Sequence, residues 1–154
     1  MFFDAAGRML VVKATYGANP WGIPGGVAEP DEPPRATVRR EVKEEIGIDR
    51  EPGALLVVAW RPSRVRNLAK AHRAAGWSER IDDGIQLVFD GGVLTPDDIA
   101  AITLDPDEMA DFVFLPVDQA VERMASLHSR WAIAAVQARE SGRVVYLENG
   151  YPPP

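Results

Sequence analysis

The sequence predicts an α/β or α+β sandwich folded as one domain over residues 1–154. Three observations carry that expectation. β-rich runs recur along the chain. Two segments between them have helical periodicity. The balance of 46% hydrophobic to 26% charged residues is that of a chain able to bury a core.

The first residues, "MFFDAAGRMLVVK", lack the basic start and long apolar run of a secretory signal. They read as a strand hairpin entered abruptly, so that the first strand is short or the natural start lies upstream. "RMLVVKATY" (8–16) is β-rich, and "GANPWGIPGG" (17–26) is a loop punctuated by Gly and Pro. A helix is predicted from Pro34 to Ile46, with proline in its first turn and Gly47 just past its end. "ALLVVAW" (54–60), "GIQLVFDGGVL" (84–94) and "DFVFLP" (111–116) read as strands. Val117, Val121, Met124, Trp131, Ala135 and Ala138 recur at helical spacing, with a break expected near "SLHSR". "RVVYL" (143–147) is a late strand and "YPPP" a stiff tail. There is no internal repeat and no low-complexity tract.

Composition also excludes. At a net charge of −6, wholesale binding of a nucleic acid backbone is not expected. With no cysteine, disulfides and thiolate metal sites are ruled out, which fits a cytoplasmic protein. No run approaches the roughly 18 apolar residues of a membrane span.

"REVKEEIG" (40–47) then poses a problem. On a helix, Val38, Val42 and Ile46 fall in one arc, while Glu41, Glu44 and Glu45 share the adjoining arc at the border of core and solvent. Like charges three and four residues apart destabilise a helix. Arg40 can pair with Glu44, but Lys43 points away from the carboxylates. Taken alone, these eight residues read best as a solvated charged face. The other reading is a hard divalent cation held by carboxylate oxygens.

The surrounding spacing decides between them. Gly26, five residues, Glu32, seven residues, then Arg40-Glu41-Val42-Lys43-Glu44-Glu45-Ile46-Gly47-Ile48 resembles the Nudix box, and all nine specified positions match. At average residue frequencies a chance match is on the order of one in ten million. The box spans 26–48 and its lead-in "WGIPGG" extends the resemblance to Trp21. Beyond it, "DPDEMADFVFLPVDQA" is similar to the family's late strand-into-helix segment. One departure is Asp31, where a glycine often precedes the box glutamate.

This resemblance to MutT-like Nudix hydrolases implies an α/β/α sandwich with a mixed sheet and a loop–helix–loop metal site. It implies hydrolysis of a nucleoside diphosphate linked to another moiety: a nucleoside triphosphate, ADP-ribose, a dinucleoside polyphosphate or a nucleotide sugar. Glu41, Glu44, Glu45 and the carbonyl of Gly26 would hold Mg²⁺ or Mn²⁺, with Glu41 and Glu44 at the chemistry. Glu32 and Arg40 would form the pair that holds the glutamates in place. The general base would come from the box or a later loop, where Asp82, Asp83, Asp107, Glu108 and Asp111 are candidates and Glu108 is preferred. Members of the family are often dimeric, so "FVFLP" is either a homodimer interface or core. Two rival readings are a non-catalytic nucleotide-metabolite sensor on the same fold and an isomerase on a related one. Intact box glutamates count against the first, and the absence of cysteine against the second.

A basic insert lies at about 61–84. Within residues 61–80, Arg61, Arg64, Arg66, Lys70, Arg73 and Arg80 stand against a single acid, Glu79, and "NLAKAHRAAG" can form a short helix. The insert reads equally as a substrate-side lid, with Arg61, Arg64 and Arg66 meeting phosphates, or as a solvated excursion. Trp60 and Trp77 flank it and could stack on a base or pack at a rim. Trp21 is expected to be a packing anchor. His72 and His128 receive no role.

Overall fold

The computed structural model describes residues 1–17, 21–65 and 80–154. The "NLAKAHRAAG" helix and the readings of Arg66, Lys70, His72, Arg73, Trp77 and Glu79 lie outside the described residues, as do the side chains of Arg64 and Arg80.

The chain runs β1 (Phe2–Phe3), β2 (Met9–Ala14), β3 (Trp21–Gly22), α1 (Pro34–Ile46), β4 (Leu55–Arg61), β5 (Arg64–Val65) and β6 (Arg80–Ile81). It continues with β7 (Gly84–Phe89), β8 (Gly92–Val93), α2 (Pro96–Ala100), β9 (Met109–Leu115), α3 (Val117–Arg123), α4 (Ser126–Ser141) and β10 (Val145–Glu148). One mixed sheet is centred on β2. It pairs antiparallel with β9 on one side and with β1 and β3 on the other, and β8 continues parallel to β1. A second sheet has the order β10-β4-β7, with β10 parallel and β7 antiparallel to β4. β5 and β6 pair with each other as a separate ribbon.

β2 is buried on both faces, which its unbroken apolar run MLVV allows. Met9 and Val11 enter a first core with Phe3, Val57, Ala59, Val88, Leu147 and the α4 residues Trp131, Ala132, Ala135 and Ala138. Leu10 and Val12 enter a second core with Val42, Ile46, Ile48, Leu94 and Met109. β9 follows the same alternation: Val113 and Leu115 pack on the first core, Phe112 and Phe114 on the second. "FVFLP" is thus packing material for both cores.

α1 lies against the second core through Val42 and Ile46, which are 2% and 0% exposed. Burial of each is worth about 1.5–3 kcal/mol, more than any surface pair on the helix. Pro34 opens it and Gly47 closes it at φ 76°, donating its N–H to the Lys43 carbonyl at 3.0 Å. A side chain at Gly47 would also press on the Thr103 backbone at 3.3 Å.

Three expectations change and a fourth holds. "GIQLVFDGGVL" is two strands in different sheets, because the Asp90 side chain accepts the Gly92 N–H at 2.8 Å and turns the chain between them. Trp21–Gly22, read as loop, forms a short strand on the edge of β2. α2 was not expected, although Thr95 and Asp98 form a capping box around Pro96. The helical break falls at Met124–Ala125, just before "SLHSR", where Ser129 Oγ donates to the Val121 carbonyl at 2.7 Å.

Asp31 has φ 63°, the left-handed conformation a glycine would adopt freely. The box departure therefore keeps the backbone shape and accepts strain on the order of 1 kcal/mol. Asp31→Gly is expected to be more stable than Asp31→Ala by about 1 kcal/mol in denaturant unfolding. Equal stabilities would mean that residue 31 is not left-handed in solution.

Candidate active site

The loop before α1 and the acidic face of the helix are joined by one side chain. Arg40 donates from Nε to Glu32 Oε1 at 2.8 Å and from Nη2 to Glu32 Oε2 at 2.9 Å. Its Nη1 lies 2.9 Å from both Glu44 Oε2 and Glu41 Oε1, and Nη2 reaches the Val27 carbonyl at 3.2 Å. Glu32 also accepts from Thr37 Oγ1 at 2.9 Å and from the Glu29 N–H at 3.0 Å. The Arg40 guanidinium, followed by these N–H and O–H donors, holds the Glu32 carboxyl down at about 2. Arg40 is pushed above its ordinary value, chiefly by Glu32.

The cations flanking Arg40 serve elsewhere. Lys43 pairs with Asp49 at 3.0 Å, and Arg39 pairs with Asp49 and Glu51, each at 2.5 Å. They sit on the far side of the helix, as the wheel requires.

The three box glutamates differ in environment. Glu44 is 53% exposed. Glu41 is mostly covered, and its carboxyl is raised by burial, opposed by Arg40 and raised further by the charges of Glu44 and Glu108. Glu45 is only 4% exposed, deeper than the border position expected. Burial pushes its carboxyl up to about 8, against a hydrogen bond from the Gly25 N–H at 2.8 Å and with the charges of Glu41, Glu108 and Glu44 adding to the rise. The backbone at Gly26 meets the same group of residues. A Cβ there would lie 2.3–2.4 Å from the Glu41 carboxyl atoms, so any side chain at this position would displace that carboxylate.

Glu108 is brought to this place by the turn between α2 and β9. The last carbonyls of α1 take the Thr103 N–H (Ile46, 3.1 Å) and the Asp105 N–H (Glu45, 3.3 Å). Asp111, another candidate base, instead faces Lys13 across the β2–β9 ladder.

A model of the NUDIX domain matches residues 1–136. The chain belongs to the Nudix family. Its fold is similar to a MutT protein from Methanosarcina mazei Go1 (TM-score 0.62, 21% identity, 92% of this chain and 90% of that one). It is also similar to an ADP-ribose pyrophosphatase from Streptococcus suis 89-1591 (TM-score 0.58, 16% identity, 96% and 92%). A third likeness is to an Ap4A hydrolase from C. elegans (TM-score 0.56, 19% identity, 92% and 93%). No curated protein matches the chain. This Nudix fold is an α/β fold of mixed sheets and helices, as the box resemblance implies.

Among the described residues, no three acidic or histidine side chains form a ready-made metal cluster. Each Nudix-box carboxylate instead takes a donor of the chain: Arg40 for Glu41 and Glu44, Gly25 for Glu45. The donor set still suits a hard cation, being carboxylate oxygens close against the bare backbone of Gly26. Arg61 Nη1 donates to the Pro62 carbonyl at 3.5 Å, a long bond. Trp60 is exposed on β4, in register with Ile85 and Glu148. Trp21 packs on the first core, with Arg123 5.1 Å and Lys13 5.8 Å from its ring centroid.

The buried Glu45 gives a stability test. Its folded carboxyl, at about 8, lies above the unfolded value of 4.5. The folded state therefore holds a proton that the unfolded chain releases, and wild-type stability falls as pH rises between these values. Glu45→Gln, measured without divalent cations, is expected to gain on wild type from pH 5 to pH 8 and to level off above. A constant difference across that range would contradict the burial of this carboxyl.

Proposed function

We propose that this Nudix protein is a metal-dependent pyrophosphohydrolase, cleaving a nucleoside diphosphate linked to another moiety by attack of water at phosphorus. One observation carries the reading. Burial raises the carboxyls of Glu41 and Glu45; the charge of Glu44 raises Glu41 further and that of Glu41 raises Glu45 further, with Glu108 adding to both. Such crowding is costly in a structural helix and useful where a cation and a polyphosphate bind.

Mg²⁺ or Mn²⁺ would be held by Glu41, Glu44, Glu45 and the carbonyl of Gly26. When bound, the ion supplies neutralising charge for the anionic diphosphate and acidifies a bound water. The chain supplies placement. Glu32 anchors Arg40, and Arg40 holds the loop carrying Gly26 and Val27 against the helix. The Gly25 N–H fixes one oxygen of Glu45. Glu108 is the proposed base. It takes the proton of the attacking water as the new P–O bond forms and the bridging P–O bond breaks, the leaving group departing with the anhydride oxygen.

The substrate range proposed is nucleoside triphosphates, ADP-ribose, dinucleoside polyphosphates and nucleotide sugars. The names of the structural neighbours support it. Arg61, Arg64 and Arg66 are proposed phosphate contacts, those of Arg64 and Arg66 resting on sequence alone. The chain is proposed to act as a single domain in the cytoplasm. Among the described residues no helix is long and apolar enough to cross a membrane.

The test is hydrolysis of that panel with Mg²⁺ or Mn²⁺, read by product identity. Turnover is expected to require the divalent ion. Glu44→Gln and Glu45→Gln should each lower kcat by roughly 10²–10³-fold while remaining folded. Divalent-independent turnover, or unchanged kcat in both variants, would overturn the proposal.

A further inference from the structure

The turn carrying Glu108 is held from two sides, and the second side is not part of the Nudix box. The β2–β9 ladder is regular until a bulge, where β9 carries an extra residue, Ala110, opposite the step from Lys13 to Ala14. A bulge bends the strand that carries it, here β9 just after the turn. Thr15, the residue after β2, meets that turn. Its N–H donates to the Glu108 carbonyl at 2.8 Å, and its Oγ1 donates to the Asp107 carbonyl, also at 2.8 Å. Thr15 therefore binds two consecutive carbonyls of the turn, one through backbone and one through its side chain.

The turn is otherwise organised by Asp105. Its Oδ1 accepts the Asp107 N–H at 2.9 Å, and its carbonyl accepts the N–H groups of Glu108 (3.2 Å) and Met109 (2.7 Å). Its own N–H reaches the Glu45 carbonyl at the end of α1 at 3.3 Å. The helix that carries the glutamates fixes one side of the turn, and Thr15 at the end of β2 fixes the other. Glu108 itself is exposed, and the backbone of this turn sets where its side chain starts.

We infer that Thr15 is a positioning residue for Glu108, holding the 105–109 turn from which its carboxylate projects. The inference rests on the proposed hydrolase reading, in which Glu108 takes part in the reaction. Thr15 touches neither substrate nor reacting atoms, and its effect runs through a carbonyl clamp. Any residue can supply the N–H, but only a hydroxyl can supply the second bond.

The test compares Thr15→Val, which keeps shape and loses the donor, with Thr15→Ser, which keeps the donor. Residue 15 is exposed, so both variants should fold. With a substrate the wild type cleaves, Thr15→Val should lower kcat about fivefold, the worth of one hydrogen bond, with KM within about twofold of wild type. Thr15→Ser should restore it. In a Glu108→Gln background Thr15→Val should cost nothing further, because the residue it positions has lost its function. Additive losses, or no rescue by serine, would overturn the inference. Amide hydrogen exchange supplies a readout without turnover: residues 105–109 should exchange faster in Thr15→Val and at the wild-type rate in Thr15→Ser. Unchanged exchange in Thr15→Val would overturn it even where no substrate is cleaved. Absence of turnover in the wild type would count against the hydrolase reading alone.

Discussion

One guanidinium holds the site together. Arg40 is gripped along one edge, through Nε and Nη2, by both oxygens of Glu32 and still has Nη1 to share between Glu41 and Glu44. Without it, the loop from Gly25 to Glu32 would have little reason to lie on the acidic side of α1. The other ion pairs on the helix do not compare. Arg39–Asp49, Arg39–Glu51 and Lys43–Asp49 are surface pairs, which water and salt weaken. The Glu32–Arg40 pair is bidentate, largely covered and supported by Thr37 and Glu29, the arrangement in which a charge-assisted bond keeps its strength.

That tie matters because α1 is fixed by something else. Val42 and Ile46 lock the helix into the second core, opposite Leu10 and Val12 of β2. Core packing thus determines where the acidic arc points, and it drives Glu45 inward with the apolar residues. The cost appears as a raised carboxyl on Glu45 and, less, on Glu41. β2 contributes twice. It separates the two cores, and Thr15 just past its end holds the turn that carries Glu108.

What was legible in the sequence follows from range. The helix from Pro34 to Ile46 and its stop at Gly47 were readable because proline, glycine and a 3.6-residue period act locally. The box was readable because its residues share one helix and the loop before it. The split of 84–94 was not, because period-2 hydrophobicity is the same whether two strands share a sheet or part at Asp90. α2 had a local signal in Thr95-Pro96-Asp97-Asp98 and was missed for want of apolar periodicity over so short a segment. The depth of Glu45 depends on how far the second core extends along α1, which no wheel reports. Thr15 was invisible for the same reason: its partners lie more than ninety residues away in sequence, as the separation of 92 to Asp107 records.

The charge arrangement also bears on why the site is built from unequal carboxylates. Three equivalent exposed glutamates would be solvated separately, and nothing would oblige them to share a ligand. Three buried ones would lie behind a desolvation barrier and bind protons in place of a cation. The gradient here, from exposed Glu44 through covered Glu41 to buried Glu45, avoids both extremes. The exposed end can meet an incoming cation while still hydrated. The buried end, where water stabilises charge least, gains most from neutralisation. A helix whose register places i and i+4 on one rim and tips i+4 into the core produces that gradient without any loop rearrangement, so the ordering of the three side chains is a consequence of packing as much as of chemistry.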